Sequence, residues 1–244
     1  MSNQYLVAAG SLADAAVGDR VHLDGDEARH AVTVARVRVG ERLAFSDGAG
    51  AVVHGVVAET GPRSVALTVD EHTFEPEPSV RLTLVQALAK GDRDELAVQA
   101  ATELGVDAIV PWAAARSVSR WEGAKLERGR ERWATIVREG VKQSLRAWVP
   151  AVQPLATTAQ LVERLAGQRI LVLEPSASSR LAELVPDGRD IALVVGPEGG
   201  IAADELTRLA TAGAELVRLG TSVLRTSTAG PAAIAALSTA LQRW

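Results

Sequence analysis

Three short loops in the sequence combine residue types that suit ligand binding, namely glycine, carboxylate and arginine. In chain order, the loops are Leu173-Glu174-Pro175, Gly196-Pro197-Glu198-Gly199-Gly200 and Gly220-Thr221-Ser222-Val223-Leu224-Arg225-Thr226. Each loop follows a short apolar run of the kind that forms a buried parallel strand. Because ligands bind at the carboxyl ends of strands in open α/β sheets, these loops are the predicted places for chemistry.

The central loop has three glycines in five residues, just before a predicted helix that carries Asp204 and Glu205 in its first turn. Glycine permits positive φ and lets backbone groups touch a ligand with no Cβ in the way. The phosphate-loop pattern G-x-x-x-x-G-K-[ST] and the dinucleotide pattern G-x-G-x-x-G are both absent, and Glu198 would repel a phosphate. The loop therefore favours a ligand with a neutral or cationic part, or else it is a structural strand-to-helix turn.

The last loop places two apolar residues beside Arg225, among several hydroxyl side chains. Arg225 offers a planar, permanently charged group that could hold a phosphate or polarise a carbonyl oxygen. The alternative is a structural ion pair with Glu174 or Glu198. The hydroxyl residues also predict that Thr228 caps the closing helix.

Missing residue types narrow the possible chemistry. The chain has no Cys, and its four His (His22, His30, His54 and His72) all lie in the first third of the sequence. Catalysis by Ser-His-Asp or Cys-His groups, and a His-based metal site, are therefore excluded from the part that holds the three loops. Group transfer from an already activated donor, driven by positioning and charge, remains.

The elements that must position these loops follow a proline-rich, charged stretch at residues 75–79. This stretch is a predicted linker between a domain at 1–74 and a domain at 80–244. Before it, short β-branched segments predict a small sheet or barrel, with a possible helix at Asp26–Val37. After it, strands alternate with helices, which predicts an α/β fold with a parallel sheet. The five predicted strands are Arg81–Ala87, Ala108–Trp112, Ile170–Leu173, Ile191–Val195 and Leu216–Leu219.

Three helices are predicted between and after these strands. The first spans Asp92–Leu104 and is closed by Gly105, and the last spans Ala232–Leu241. The long middle helix is identified by apolar residues at helical spacing, which place the basic residues mostly on its other face. Its apolar residues are Trp133, Ile136, Val137, Val141, Leu145 and Trp148.

The net charge of −4 over 244 residues argues against a nucleic-acid partner, but the charge is unevenly distributed. Residues 1–78 carry −6, residues 79–150 carry +3 and residues 151–244 carry −1. Within the middle segment, residues 116–146 carry +5, which predicts a phosphate-binding face or, equally, a solvated helix with local ion pairs. The absence of cysteine, of a secretory signal and of a long apolar run predicts a cytoplasmic protein with no membrane partner.

The central and last loops, read together with Leu219, resemble the RsmE family of SPOUT methyltransferases, which methylate N3 of a uridine in 16S ribosomal RNA. The resemblance covers nearly the whole chain in order and spacing. Further family-like pieces are Ala28-Arg29-His30 with Arg36, Arg38 and Gly40, the turn Asp47-Gly48, Thr102-Glu103-Leu104-Gly105-Val106, Arg116-Ser117-Val118, and Gln143-Ser144-x-Arg146 before Val149-Pro150.

The resemblance implies a small N-terminal PUA-like β-barrel and a SPOUT-type parallel sheet with a C-terminal trefoil knot. It also implies S-adenosylmethionine as cofactor, 16S rRNA or the small ribosomal subunit as partner, a homodimer, and no metal. Arg225 becomes the candidate catalytic residue. The implied cofactor residues are Leu173, Glu174, Pro175, Gly196, Pro197, Glu198, Gly199, Gly200, Ile201, Leu219, Gly220, Ser222, Val223, Leu224 and Thr228. The implied RNA-binding residues are Arg29, His30, Arg36, Arg38, Arg116 and Arg146.

The chain departs from the family pattern at three positions. Ser227 and Lys142 each stand where the family commonly has Glu, and Ala100 stands where Lys is frequent. The loss of an acid at 227 argues against a general base there. Other functions that fit the sequence are methylation of a different RNA, a non-catalytic RNA-binding protein of ribosome assembly, and a small-molecule α/β enzyme.

Overall fold

A computed structural model describes residues 4–244, which form two compact units. The N-terminal unit holds the chain up to Glu77 together with Arg138–Val149. The C-terminal unit holds Pro78–Val137 and Pro150–Trp244. The break after Glu77 falls inside the stretch predicted as a linker, while residues 138–149 group with the N-terminal unit although they follow the break in sequence.

The N-terminal unit is built on one five-stranded sheet and one helix. Its elements are β1 (Gln4–Leu6), β2 (Arg20–Asp24), α1 (Gly25–Thr33), β3 (Arg42–Ser46), β4 (Ala51–Gly61) and β5 (Ser64–Phe74). The strand order is β1-β3-β4-β5-β2, with β1 parallel to β3 and the other pairs antiparallel. Fully buried Phe45, Val53 and Leu67 belong to its core.

Two features of this unit differ from the sequence prediction. The helix ends at Thr33 rather than Val37, and Arg36 then adopts a positive φ of 58° in the following turn. The short strand β1 was not predicted, because three residues are too few to show a periodic pattern. It is held instead by pairing with β3, which lies 40 residues further along the chain.

The C-terminal unit is a parallel sheet with helices, as the alternating pattern predicted. Its strands are β6 (Leu82–Ala87), β7 (Ala108–Trp112), β8 (Ala151–Val152), β9 (Arg169–Leu173), β10 (Ser179–Arg180), β11 (Ile191–Val195) and β12 (Glu215–Arg218). Its helices are α2 (Arg93–Glu103), α3 (Ala124–Ser144), α4 (Thr158–Arg164), α5 (Ala203–Thr211) and α6 (Thr226–Ala240), with a 3₁₀ turn at Leu181–Glu183. The residues of helix α3 from Arg138 onward belong to the N-terminal unit.

The sheet order β10-β12-β9-β11-β6-β7-β8 explains why the three loops meet. Strand β11 lies between β9 and β6 in parallel register, and all five of its residues are buried. Strand β12 lies on the other side of β9. The loops after β9, β11 and β12 therefore leave the same edge of the sheet from three adjacent strands. The two-residue strands β8 and β10 were not predicted, so the sheet has seven strands instead of five.

Both long helices differ from their predicted bounds. Helix α3 ends at Ser144 because Leu145 adopts a positive φ of 58°, so Leu145 and Trp148 are not part of its apolar face. Helix α6 begins at Thr226, six residues before the predicted start, and continues through Pro231. The prediction that Thr228 caps this helix is wrong. The N-cap position is Arg225, which forms no side-chain cap.

Within residues 4–244, no helix is long and apolar enough to cross a membrane.

Candidate functional site

A cavity of about 360 Å³ lies at the edge of the sheet where β9, β11 and β12 end. Thirteen of the fifteen predicted cofactor residues line it: Leu173, Glu174, Pro175, Gly196, Pro197, Glu198, Gly200, Ile201, Leu219, Gly220, Ser222, Val223 and Leu224. Gly199 and Thr228 do not. Sequence reasoning missed Arg93, Val195, Val217, Arg218, Thr226 and Ala229, which also line the cavity.

The glycines of these loops have distinct physical roles. A Cβ on Gly196 would lie 2.6 Å from Cγ1 of Ile201, so a side chain there cannot fit without movement of the loop. Gly200 has a φ of +71° and donates its N–H to the carbonyl of Pro197 at 2.9 Å, which closes a tight turn. A Cβ on Gly220 would meet no atom within 4 Å. Gly220 is therefore not required by the packing of the protein itself, which leaves the approach of a ligand as a reason for glycine there.

Glu198 is held at the edge of the cavity by residues at the start of α2 and just before it. Its Oε1 accepts from the guanidinium of Arg93 at 2.9 Å and from the backbone N–H of Lys90 at 3.2 Å. Partial burial raises the pKa of Glu198, but hydrogen bonds from its own backbone, Lys90 and Arg93 outweigh that effect and lower the pKa overall. The carboxylate stays ionised at neutral pH and is already paired.

Arg225 lines the same cavity with a free guanidinium. It is exposed and forms no ion pair or side-chain hydrogen bond with any residue from 4 to 244. The structural ion pair with Glu174 or Glu198 that the sequence left open is not formed. Glu174 instead accepts from the backbone N–H and hydroxyl of Ser176, at 3.2 and 2.9 Å. Arg225 is therefore available for a substrate.

A buried chain of hydrogen bonds fixes the start of α6 beneath this cavity. The hydroxyl of Thr226 donates to the carbonyl of Gly196 at 2.9 Å and accepts from Nε2 of Gln86 at 2.9 Å. Gln86 is fully buried near the end of β6. An amide side chain near the end of a mostly apolar strand is the signal that could have identified it in the sequence. These hydrogen bonds join β6, the glycine-rich central loop at 196–200 (the glycine loop) and Thr226, the residue next to Arg225.

A second buried carboxylate, Glu205 in the first turn of α5, fixes the loop after β7. Its Oε1 accepts from the hydroxyl of Thr158 at 2.6 Å and from the backbone N–H of Ala115 at 3.0 Å, and its Oε2 accepts from Ala202. The hydroxyl of Thr158 also accepts from the indole N–H of Trp112 at 3.1 Å. Arg116, the residue after Ala115, donates to the carbonyl of Gly199 at 3.1 Å. Glu205 therefore holds Arg116 against the glycine loop.

We expect Glu205→Gln to destabilise the protein, because an amide nitrogen replaces one of the two accepting oxygens of a buried carboxylate. Hydrogen bonds to charged groups contribute about 1.5–3 kcal/mol each, and we expect a loss of unfolding free energy in that range. Equilibrium urea unfolding measures it. The matched control is Asp204→Asn, which changes an exposed carboxylate in the same helical turn and should have little effect. Equal stability of the two variants would contradict this role of Glu205.

The basic stretch at residues 116–146 is partly neutralised by carboxylate partners. Arg132 pairs with Glu95, with one N–O distance of 2.6 Å, and Arg130 pairs with Glu127 at 2.5 Å. Arg138 and Lys142 both pair with Glu27, and Lys142 also pairs with Glu139. Two of these, Arg130–Glu127 and Lys142–Glu139, are local pairs of the kind that the sequence left open as an alternative. Among the described residues, Arg116, Arg120, Lys125 and Arg128 of this stretch have no carboxylate partner.

The other predicted RNA-binding residues lie in the N-terminal unit. Arg29 and His30 are exposed on α1, and Arg36 and Arg38 are exposed in the loop that follows it. Arg29 lies 3.9 Å from Asp26 in a loose ion pair. These four residues belong to one ten-residue segment, which places a small cationic surface within an acidic unit. Arg146 is half-buried, and its carbonyl accepts from Gln4.

The three departures from the family pattern have different surroundings. Lys142 is held by two carboxylates, as described above, so the charge that replaces the family's Glu is locally balanced. Ser227 is half-buried in the first turn of α6, and Ala100 is half-buried on α2. In the part of the chain that the structure describes, no group of three or more His, Asp or Glu side chains could hold a metal ion.

Comparison with known proteins places this architecture in a class. A family model described as an RNA methyltransferase domain matches residues 75–238, and a second, described as an RNA methyltransferase PUA domain, matches residues 23–70. The fold and the cavity therefore belong to an RNA methyltransferase with an N-terminal PUA domain.

Similar proteins identify the family within this class of RNA methyltransferases. The chain is 43% identical over 228 residues to a ribosomal RNA small subunit methyltransferase E of Mycobacterium bovis, covering 91% of this chain and 87% of that protein. It is 32% identical to the protein of that name from Bacillus subtilis, covering 88% of each. A crystal structure of the Neisseria gonorrhoeae protein of that name, bound to S-adenosylmethionine, matches with a TM-score of 0.87 at 27% identity, covering 98% of both chains. The chain belongs to the ribosomal RNA small subunit methyltransferase E family.

Proposed function

We propose that the protein transfers a methyl group from S-adenosylmethionine to N3 of a specific uridine in 16S ribosomal RNA of the small subunit. Family membership supports methylation of small-subunit ribosomal RNA with this cofactor. The choice of uridine N3 rests on the motif resemblance in the central and last loops. The observation that carries the proposal is the cavity at the ends of β9, β11 and β12, which has the unpaired Arg225 in its wall.

The residues of the cavity fit the cofactor. Leu173, Leu219 and Leu224 offer apolar contacts for a purine ring, while the loop backbones offer N–H and C=O groups. Nothing fills the space beside Gly220. At the rim, Arg93 and Glu198 offer charges of both signs for an amino-acid moiety that carries both signs itself. A volume of about 360 Å³ lies within the range of small-molecule sites.

When bound, the cofactor supplies a methyl group on a positively charged sulfur, so the protein needs no nucleophile of its own. The chain must align donor and acceptor, and alignment alone contributes up to about 7–11 kcal/mol in well-oriented systems. Uridine N3 must also lose its proton, which leaves negative charge on the neighbouring carbonyl oxygens. Arg225 stabilises that charge by donating to a uracil oxygen. The proton passes to water or to a carboxylate, and the target base must be unpaired to present N3.

Three further features belong to this proposal. A trefoil knot is proposed on the motif resemblance in the central and last loops. A homodimer is supported by Val223, which leaves 75% of its surface exposed at the cavity. A second copy could cover that apolar residue. A ribosomal substrate supports a cytoplasmic location.

Transfer of labelled methyl from S-adenosylmethionine to isolated small ribosomal subunits tests the function. We expect label in 16S rRNA, and we expect the affinity for RNA to fall steeply as salt rises, because Lys and Arg contacts to phosphate release counterions. Absence of cofactor binding in calorimetry would favour a non-catalytic RNA-binding protein. Cofactor binding with no salt-sensitive RNA affinity would favour a small-molecule enzyme.

A further inference from the structure

A second cavity, of about 340 Å³, lies next to the first in the C-terminal unit and has no role in the account above. It is formed by the loop after β6, the first turn of α2, the loop after β7 and one face of α3. Its lining includes Lys90, Asp92, Trp121, Gly129, Arg132 and Trp133. Like the cofactor cavity, it lies beyond the carboxyl ends of parallel strands, where α/β proteins bind ligands.

The two cavities share the short segment 90–93 as a wall. Arg93 lines the cofactor cavity, while Lys90, Gly91 and Asp92 line the second. Glu198 of the glycine loop binds this segment at both ends, through the N–H of Lys90 and the guanidinium of Arg93. A molecule in the second cavity would therefore lie immediately beside the reaction site.

Trp121 provides a rigid aromatic surface in this cavity. Its ring packs edge to face on the buried Trp133, with centroids 5.2 Å apart at 76°. It also packs so closely on α3 that a Cβ on Gly129 would lie 2.4 Å from its Cε2. A glycine inside a helix costs about 0.5–1 kcal/mol relative to alanine, and here its absent side chain makes room for the indole. Trp121 remains half-buried, so part of its surface faces the cavity.

Most charged groups around the cavity already have partners. Arg132 pairs with Glu95, and Asp94 accepts from the backbone N–H groups of Ala89 and Glu95. The side chains of Lys90 and Asp92 are exposed and form no hydrogen bond or ion pair with residues 4–244, although Asp92 lies close enough to Arg132 to attract it electrostatically. They leave one free cation and one free hydrogen-bond acceptor at the cavity.

The backbone of Asp92 adds a further observation. Its φ is 58°, in the left-handed region that favours glycine, and its side chain forms no cap on α2 although it occupies the N-cap position. The carboxylate therefore contributes no hydrogen bond to the fold, and the backbone would be more relaxed with glycine. A function outside folding is a physical reason for an aspartate at this position.

We propose that the second cavity binds an unpaired nucleotide of the RNA that neighbours the methylated uridine. Its base stacks on Trp121, an N–H on its Watson–Crick edge donates to Asp92, and its phosphate contacts Lys90. Stacking on aromatic side chains is a common mode of single-strand recognition. The base held here is not the methylated one, because N3 of that uridine must face the cofactor cavity on the other side of segment 90–93. This inference rests on the proposed function.

Asp92→Gly is the sharpest test, because stability and RNA recognition should respond in opposite directions. We expect a Tm no lower than that of the unaltered protein, since glycine suits the positive φ and no cap is lost. We expect the KM for small ribosomal subunits to rise about 10- to 150-fold, as for the loss of one charged hydrogen bond. Calorimetry should give an unchanged affinity for S-adenosylmethionine. An unchanged KM would overturn the role of Asp92.

Trp121 variants test the stacking surface. We expect Trp121→Ala to raise the KM for small subunits about 5- to 100-fold, and Trp121→Phe, which keeps an aromatic face, to raise it much less. The affinity for S-adenosylmethionine and the Tm of Trp121→Phe show whether the fold is retained. Equal KM values for the alanine variant and the unaltered protein would overturn the proposal. Failure of the proposed function is distinct, because the unaltered protein would then transfer no methyl group to the subunits.

Discussion

Arg225→Ala is expected to lower kcat for methyl transfer about 100- to 1000-fold, the usual cost of removing one donor that stabilises developing negative charge. The guanidinium lies in the wall of the cofactor cavity and has no partner among the described residues. Its loss should therefore leave the Tm unchanged. Single-turnover kinetics with small ribosomal subunits separates the chemical step from binding.

Arg225→Lys is the matched control for that experiment. It keeps the positive charge but loses the planar guanidinium. We therefore expect a kcat between that of the unaltered protein and that of Arg225→Ala. If Arg225→Ala binds RNA normally and retains full turnover, the assignment of this arginine to charge stabilisation is wrong.

Gly220→Val should weaken the binding of S-adenosylmethionine without weakening the fold. A Cβ at this position meets no protein atom within 4 Å, and Gly220 does not need a positive φ. The added methyl groups would occupy space at the cavity that the cofactor needs. Overpacking of this kind costs about 1–3 kcal/mol, which corresponds to about 5- to 150-fold weaker binding in calorimetry.

Gly196→Ala provides the contrast. Its Cβ would lie 2.6 Å from Ile201, so this variant should lose stability as well as cofactor affinity. If Gly220→Val binds the cofactor as tightly as the unaltered protein, Gly220 does not lie at the cofactor-binding site. The two variants together separate damage to the cavity from damage to the loop.

The sequence was sufficient to predict that the three loops meet at one cavity, because each loop has a local signature. The short apolar runs that became β9 and β11 are followed directly by loops, and parallel strands bring those loops to one edge of the sheet. The glycine loop and Arg225 could be identified from the sequence for the same reason, because each lies in a loop that follows a predicted strand.

The contacts that tie the cavity together could not be predicted in this way. Glu205 binds Ala115, which lies 90 residues away, and Gln86 binds Thr226, which lies 140 residues away. No periodicity or spacing encodes such pairs. Helix ends that were predicted wrongly also depend on context. Leu145 turns into a left-handed conformation after α3, and α6 continues through Pro231.

The basic stretch shows why a count of charges is a weak guide to an RNA surface. Residues 116–146 carry +5 by sequence, but Arg132, Arg138 and Lys142 pair with carboxylates that lie outside that stretch or on α3 itself. The cations without carboxylate partners are therefore fewer than the count of basic residues suggests. Among them are Arg116 at the glycine loop and, outside the stretch, Lys90 and Arg225 at the two cavities.

The most direct test of the central claim is identification of the modified nucleoside. Small subunits that lack the modification would be incubated with the protein and S-adenosylmethionine, and the 16S rRNA would be digested and analysed by mass spectrometry. We expect 3-methyluridine at one position, formed only when protein and cofactor are both present. A methyl group on another atom or another base, or none at all, would contradict it.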